Sequence, residues 1–316
     1  MLNVLESARF VVENSKLVRI SLPAINKFVE NFNYRLSHWN RKLHFWGSID
    51  DVLNYLLALN ATNYCFWNLD DDKKWSICYN NKWYSGYNGL AVAYKRAIKE
   101  KTPLTNAKYL SELTKKEYDK ILKGKGELLL KEKRLAALHE VGKTLTKKYE
   151  GKFRNMVEEA GFEAIELVKL IVNEIPSFSD EAYFNFKPIK FYKRAQLLVA
   201  DIWSAFRGKG VGALKNVANL TCFADYKLPQ ILREFGILQY DKELEKIVDN
   251  KKLIPSGSVE EIEIRANTIW AVELIKEKLA NKKIALASIE LDYVLWHDAQ
   301  KLRNARPHHR TITTAY

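Results

Sequence analysis

Cysteine is scarce in this chain of 316 residues, which contains only Cys65, Cys78 and Cys222. The three residues form no CxxC pair. An odd and sparse set is typical of reduced thiols rather than of a disulfide framework or a zinc site. We therefore expect a cytoplasmic protein.

Long apolar runs are also missing. No stretch of about 18 consecutive apolar residues occurs, which excludes an ordinary membrane-spanning helix. Glu6 and Arg9 interrupt the apolar residues at the N-terminus, so no secretory signal is visible. Hydrophobic residues make up 47% of the chain and charged residues 28%, which is ordinary for a soluble globular protein and argues against general disorder.

Several catalytic motifs are absent. The chain has no GxSxG nucleophile elbow and no HExxH metal motif. Apart from the pair His308-His309, its six histidines are scattered, so we expect neither a metal nor a cofactor. The glycine-rich stretch 207–212 follows a predicted helix instead of a strand, and so fits neither a P-loop nor a dinucleotide fingerprint. Two interpretations of this stretch stay open, a flexible connection between helices and a site for an anion.

The net charge of +13 is concentrated in one region. Between Lys95 and Arg154 there are 18 Lys and Arg residues against 8 Asp and Glu. This pattern is typical of a solvated helical face, but it also suits a surface that attracts polyanions or phosphorylated substrates. Composition leaves both interpretations open.

Helical periodicity dominates the chain. Ser48 can cap a helix that runs to Leu59, and Thr114 with Glu117 has the spacing of a capping box. Apolar residues at helical spacing predict further helices over 127–149, 163–174, 192–206, 228–235, 262–279 and 289–301.

One region departs from this pattern. Residues 63–87 are rich in aromatic and other strand-favouring residues and predict two or three short antiparallel strands, with Asp70 to Asp72 as a turn. We therefore predict a mainly α fold with a small antiparallel β insertion near 63–87. The length suits a single domain over 1–316, with possible lobes at 1–150 and 151–316 that share a cleft.

Asp225 is the first candidate functional residue. Pro229 suits the first turn of a helix, which places Asp225 and Tyr226 at its N-terminus. One interpretation makes Asp225 the helix cap, a role that contributes about 0.5–2 kcal/mol. The other lets its carboxylate, beside Phe223, face a ligand.

Three further segments carry unexpected charges. Lys193 and Arg194 lie near a predicted helix start, where cations are disfavoured unless an anion or solvent stabilises their charge. Asp292 lies in an apolar helix, where it needs a partner. Either an ion pair with Arg265 or a bound ligand would supply that partner. The cationic tail 306–310 is typical of a frayed end.

Taken in order, these segments resemble the queuosine salvage protein family, the queuosine 5′-phosphate N-glycosylases. The resemblance extends from Glu6 to Tyr316 and so covers essentially the whole chain. The matching residues are Tyr84-Ser85-Gly86-Tyr87, Phe191-Tyr192-Lys193-Arg194-Ala195-Gln196, Phe223-Ala224-Asp225-Tyr226, Glu261-Ile262-Glu263-Ile264-Arg265, Leu291-Asp292-Tyr293 with Leu295-Trp296, and Pro307 with His309-Arg310.

The resemblance implies two helical lobes around a cleft, similar to the helix-hairpin-helix DNA glycosylases. It also implies hydrolysis of queuosine 5′-monophosphate to queuine and ribose 5-phosphate, without a membrane or an obligate nucleic acid. The family's essential aspartate falls on Asp225. Positions that contact the base or the phosphate fall on Lys193, Phe223, Asp292 and His309, with Tyr226 beside them and His44 as a further base contact. Arg265 and Arg310 are added candidates for the phosphate, and Lys227 stands where relatives often have Arg.

Queuine is a 7-deazapurine and has no N7 to protonate, so it leaves reluctantly. Our hypothesis is that Asp225 stabilises the oxocarbenium-like sugar, activates water, or does both. The alternative is a nucleic-acid-binding protein or DNA repair glycosylase, although Leu228-Pro229-Gln230 does not continue as the L-P-G-V-G hairpin that holds a DNA phosphate. A non-catalytic binder of 7-deazaguanines is a third interpretation.

Overall fold

The computed structural model describes residues 3–33, 39–302 and 304–316. Within these ranges the fold is mainly α, as predicted. The helices are α1 (Val4–Asn14), α2 (Leu22–Glu30), α3 (Ile49–Ala61), α4 (Gly86–Lys99), α5 (Ala107–Glu112), α6 (Lys115–Ile121), α7 (Lys131–Lys148), α8 (Phe153–Glu159), α9 (Ala164–Glu174), α10 (Lys193–Ala205), α11 (Lys227–Glu234), α12 (Lys242–Asp249), α13 (Val259–Asn281) and α14 (Ser288–Lys301).

The described strands form three separate antiparallel pairs. β2 (Ser76–Tyr79) pairs with β3 (Lys82–Ser85) inside the predicted β region. β1 (Val18–Ile20) pairs with β6 (Leu238–Tyr240), and β4 (Glu181–Phe184) pairs with β5 (Lys187–Lys190). The small β insertion is therefore confirmed, and two additional pairs accompany it.

Local capping chemistry sets several helix ends. The Ser48 hydroxyl accepts the N–H of Asp51, and Thr114 and Glu117 form the expected capping box. The helix predicted over 127–149 begins only at Lys131. Residues 125–127 are instead bonded to the β2 segment, because Lys125 exchanges both backbone hydrogen bonds with Ser76.

Two buried helices organise the core. Nearly every residue of α3 is buried, and it packs against α4, α7, α8 and α10. The long helix α13 is similarly buried and packs against α1, α2, α11 and α14. Burial on all sides of both helices explains why neither presents a single apolar stripe. The division into two lobes and the likeness to helix-hairpin-helix glycosylases stay predictions.

The segment after α3 is irregular, so the predicted β region contains two of the two or three strands expected there. Arg134 donates to the carbonyls of Thr62, Tyr64 and Cys65, and Arg194 donates to the carbonyl of Ala61. These two guanidinium groups bind the backbone acceptors that a neighbouring strand would otherwise use. A third strand does not form near residue 64 for this reason, and the two arginines fix the path of the segment.

Among the described residues, no helix combines the length and apolar character needed to cross a membrane.

Candidate active site

A cavity of about 540 Å³ lies between the helices and is lined by residues from most of the chain. A space of this size suits a small-molecule ligand. The wall comes from residues within 39–41, 63–74, 85–88, 193–207, 223–227 and 289–300, together with His308 and Tyr316.

Asp225 lies in this wall at the start of α11. Its Oδ1 accepts the N–H of Lys227 at 2.6 Å and that of Leu228 at 3.0 Å. Asp225 therefore bonds the first N–H groups of the helix as expected, although the N-cap position itself is Tyr226. Asp225 is 9% exposed. No group in the described ranges donates a hydrogen bond to Oδ2. One oxygen therefore fixes the carboxylate, and the other stays available to a ligand in the cavity.

Asp292 projects from α14 into the same region. Its Oδ2 accepts the N–H of Phe223 at 2.7 Å. Burial raises the pKa of the Asp292 carboxyl well above its usual range, and the nearby charge of Asp225 raises it further. The backbone N–H of Phe223 and the charge of Lys193 act in the opposite direction.

The predicted alternative of an Asp292–Arg265 ion pair is wrong. Arg265 forms a bidentate pair with Asp180 at 2.9 and 2.6 Å and also contacts Glu261 at 3.2 Å. Its Nε donates to the carbonyl of Ala224 at 3.1 Å. Arg265 thus supports the backbone just before Asp225 from behind the wall.

Lys193 is the first residue of α10 and is only 6% exposed. Burial lowers its pKa, while Asp225 and Asp292 act in the opposite direction. In the described part of the chain, no carboxylate oxygen lies within 4.0 Å of its ammonium group. The Lys193 ammonium therefore borders the cavity without an ion-pair partner, beside two aspartates.

Asp201, which the sequence analysis did not single out, also lines the cavity. Its Oδ2 accepts from the Asn60 amide at 2.9 Å and from the Tyr87 hydroxyl at 3.2 Å. Burial raises its pKa to about 6. The sequence could have indicated Asp201 through its position two helical turns after Lys193, which places both side chains on one face of the helix.

Aromatic rings cover much of the remaining wall. The expected residues Phe223 and Tyr226 both line the cavity. The Tyr226 ring lies against His308, with ring centres 4.6 Å apart. Four tryptophans join them in the wall, namely Trp39, Trp67, Trp203 and Trp296. Flat apolar surfaces of this kind can stack on a planar base.

The two predicted histidines lie one layer behind the wall. His44 stacks on Trp39 at 3.9 Å and is hydrogen-bonded to Tyr55, and burial lowers its pKa to about 3. His309 is hydrogen-bonded to the Tyr316 hydroxyl at 3.1 Å, and burial again lowers its pKa to about 3. Each therefore contacts a residue that borders the cavity.

Arg310 also lies behind the wall, and the tail is ordered rather than frayed. The guanidinium donates to the Leu69 carbonyl at 3.0 Å and to Asp71 Oδ1 at 2.5 Å. The Arg310 carbonyl accepts the N–H of Ile254 at 2.8 Å. These bonds hold His308 and Tyr316 in the cavity wall.

Comparisons with known proteins identify the family of this chain. A profile of the family described as queuosine salvage protein matches residues 43–316. A protein of Sphaerobacter thermophilus named queuosine 5′-phosphate N-glycosylase/hydrolase is 40% identical over 100% of this chain and 98% of its own length. Proteins of the same name from Mus musculus and Schizosaccharomyces pombe are 36% and 28% identical, over 98% and 95% of this chain and 98% and 92% of their own. This chain belongs to the queuosine salvage protein family.

Proposed function

We propose that this protein hydrolyses the N-glycosidic bond of queuosine 5′-monophosphate and releases queuine and ribose 5-phosphate. The names of its relatives supply the substrate. The observation that carries the proposal is the Asp225 carboxylate, held by two backbone N–H groups with its other oxygen on an aromatic-lined cavity. We propose further that the reaction takes place in the cytoplasm on the free nucleotide.

Asp225 meets the main demand of this chemistry. A 7-deazapurine cannot be protonated at N7, so catalysis depends on stabilising positive charge on the sugar and on activating water. Water forms a new bond to C1′ as the bond between C1′ and the base nitrogen breaks. One water proton stays on the ribose hydroxyl, and the other reaches the departing base. A carboxylate whose direction is fixed in advance can stabilise the sugar cation and accept the proton from water.

Asp292 and Lys193 place a carboxyl group and an ammonium group beside Asp225. In our proposal the carboxyl of Asp292, whose pKa is raised by burial, donates a proton to the base as it leaves, while Asp225 acts on the sugar and on the attacking water. The unpaired ammonium of Lys193 binds a substrate oxygen close to the reacting carbon.

The aromatic wall completes the site. Phe223 lies two residues before Asp225 and Tyr226 lies directly after it, and both line the cavity. In our proposal these rings stack on the base. Asp201, as an acceptor, faces the cationic secondary amine that distinguishes queuine from guanine.

The first prediction tests Asp225. We expect Asp225→Asn to lower kcat for queuine release by on the order of 10²- to 10⁴-fold, because the amide can still cap α11 but cannot accept a proton. Queuine is measured by mass spectrometry after incubation with queuosine 5′-phosphate. Near-normal turnover by a folded variant would show that the assignment of Asp225 is wrong.

Asp241→Asn is the matched control. Asp241 caps α12, where its Oδ1 accepts the N–H of Leu244 at 2.7 Å, and it does not line the cavity. The same change at this cap should leave turnover unaffected.

A further inference from the structure

Two lysines and a histidine gather at one part of the cavity wall. Lys74, Lys227 and His308 all border the cavity there. Lys74 is exposed and so lies at the cavity mouth, whereas Lys227 and His308 are half-buried. Lys227 is the first residue of α11, and its backbone N–H is one of the two that hold Asp225.

The two lysines have no anionic partner in the described structure, where no carboxylate oxygen lies within 4.0 Å of either ammonium group. The Lys227 ammonium donates instead to the Gln230 side chain at 2.9 Å. Burial lowers the pKa of Lys227, and the charge of Lys74 lowers it further. Neighbouring cations that repel each other beside a cavity favour the binding of an anion.

His308 can add a third contact. Its Nδ1 lies 2.7 Å from the carbonyl oxygen of His309, so Nδ1 carries a proton and Nε2 is left as the titrating atom. Burial lowers its pKa to about 4, with contributions from Lys227 and Arg310. A bound anion would favour protonation of Nε2 and so gain another donor.

A neighbouring carboxylate does not neutralise this cluster. Asp71 also borders the cavity, but its oxygens accept from Arg310 at 2.5 Å and from Lys251 at 2.6 Å. Those two cations offset its charge. The charge of Asp225 favours the ammonium form of Lys227, but no carboxylate of the described residues pairs directly with Lys74 or Lys227.

Two other cations of the wall, Arg41 and Arg207, lie farther from the reacting carboxylate. Lys193, on which the charge of Asp225 acts, begins α10, and Arg207 follows the end of that helix. The 13 residues of α10 span about 20 Å. The Arg41 guanidinium lies 3.3 Å from the centre of the Trp46 ring, which in turn contacts Phe206 at the same far end.

We propose that Lys74, Lys227 and His308 form the binding site for the 5′-phosphate of the nucleotide. This assignment rests on the proposed function. Lys227 lies two residues after Asp225, and the charge of Asp225 acts on its ammonium group, so a phosphate held there lies on the same part of the cavity wall as the carboxylate. The sequence suggested Lys193, Arg265, His309 and Arg310 for this role. Of these only Lys193 lines the cavity, and our proposal assigns it to a substrate oxygen near the reacting carbon.

The test compares two substrates in two variants. We expect Lys74→Gln and Lys227→Gln each to lower the ratio of kcat/KM for queuosine 5′-phosphate over that for queuosine by about 10- to 100-fold, as the loss of a charge-assisted hydrogen bond predicts. Lys227→Arg should restore most of the ratio. Lys73→Gln is the matched control, because Lys73 is the exposed neighbour of Lys74 and does not line the cavity.

An unchanged ratio in both glutamine variants overturns the phosphate site. Calorimetric titration with ribose 5-phosphate separates this result from failure of the proposed function. If the wild-type chain releases no queuine from either substrate, the proposed function fails. Binding of ribose 5-phosphate that both variants lose then still supports the site. The site is refuted if the wild-type chain does not bind ribose 5-phosphate. It is also refuted if the wild-type chain binds it and both variants still do.

Discussion

At the scale of single residues, the two charged groups on the cavity face of α10 have opposite environments. Lys193 lies beside Asp225 and Asp292, which favour its charge. Asp201, two turns later, accepts two hydrogen bonds but is otherwise buried, and its pKa rises to about 6. An ionised Asp201 is therefore costly to the folded protein in the absence of a ligand.

This cost predicts a pH-dependent effect of Asp201→Asn on stability. The pKa of Asp201 rises from 3.8 to about 6 on folding, so the folded state loses up to about 3 kcal/mol as pH increases through that interval. Asparagine does not ionise. We expect the variant to be more stable than wild type by about 1–3 kcal/mol near pH 7.5, to lose most of that advantage near pH 4.5 and to lose nearly all of it below about pH 3.5.

Urea unfolding at both pH values measures the effect. The same stability difference at the two pH values would contradict it. Asp241→Asn again serves as the control, since that carboxylate lies at a half-buried helix cap and does not line the cavity.

Sequence reasoning identified the segments of the site better than the direction of each side chain. Asp225, Asp292 and Lys193 line the cavity, whereas His44 and Arg265 lie behind it. Adjacent residues of one segment point to opposite sides of a wall, and only tertiary packing decides which side is the cavity. Asp201 was missed because one aspartate in an apolar helix resembles a satisfied core residue.

At the scale of elements, α13 supports the site through Arg265. The guanidinium joins this helix to Asp180 and to the carbonyl of Ala224. Its flat faces lie against Phe191 at 3.9 Å and Tyr316 at 4.5 Å. One buried residue thus connects α13, the segment before α10, the segment before α11 and the tail.

Removing this group should strongly destabilise the fold. We expect Arg265→Met to lower the free energy of unfolding by about 3–5 kcal/mol, because Asp180 and Glu261 would keep their charges without a partner. Chemical denaturation measures the loss.

Arg9→Met is the corresponding surface control. Arg9 is paired with Glu13 at 2.8 Å, but its side chain is 66% exposed. We expect a change below about 1 kcal/mol for this exposed pair. Equal losses in the two variants would refute the proposed role of burial.

The elements that sequence reasoning predicted are those with local signals. Periodic apolar residues identified the long helices, and capping residues marked several of their starts. The strands β1 and β6 have three residues each and lie more than 200 positions apart, so no local pattern predicts their pairing. The segment after Ala61 has strand-like composition, but Arg134 and Arg194 determine its conformation.

At the scale of the whole molecule, the cavity wall draws on residues from position 39 to position 316. A ligand that binds there contacts elements from both halves of the chain at once. Because unfolding disperses all of these segments, ligand binding and global stability should be coupled.

Under the proposed function, ribose 5-phosphate should therefore stabilise the protein. We expect an increase of about 2.7 kcal/mol in the free energy of unfolding at a ligand concentration about 100 times Kd. Unfolding curves at increasing ligand concentration test this. Ribose without the phosphate is the control and should stabilise less at equal concentration, and equal stabilisation by both would contradict the prediction.

The two arginines that hold the segment after α3 have an evolutionary consequence. Arg134 and Arg194 bond to main-chain carbonyls, which every residue type presents alike. These bonds do not involve the side chain of Asn63, which borders the cavity and donates to Asn60 Oδ1. Mutational drift at that position can reshape ligand selectivity while the scaffold that carries it is inherited unchanged.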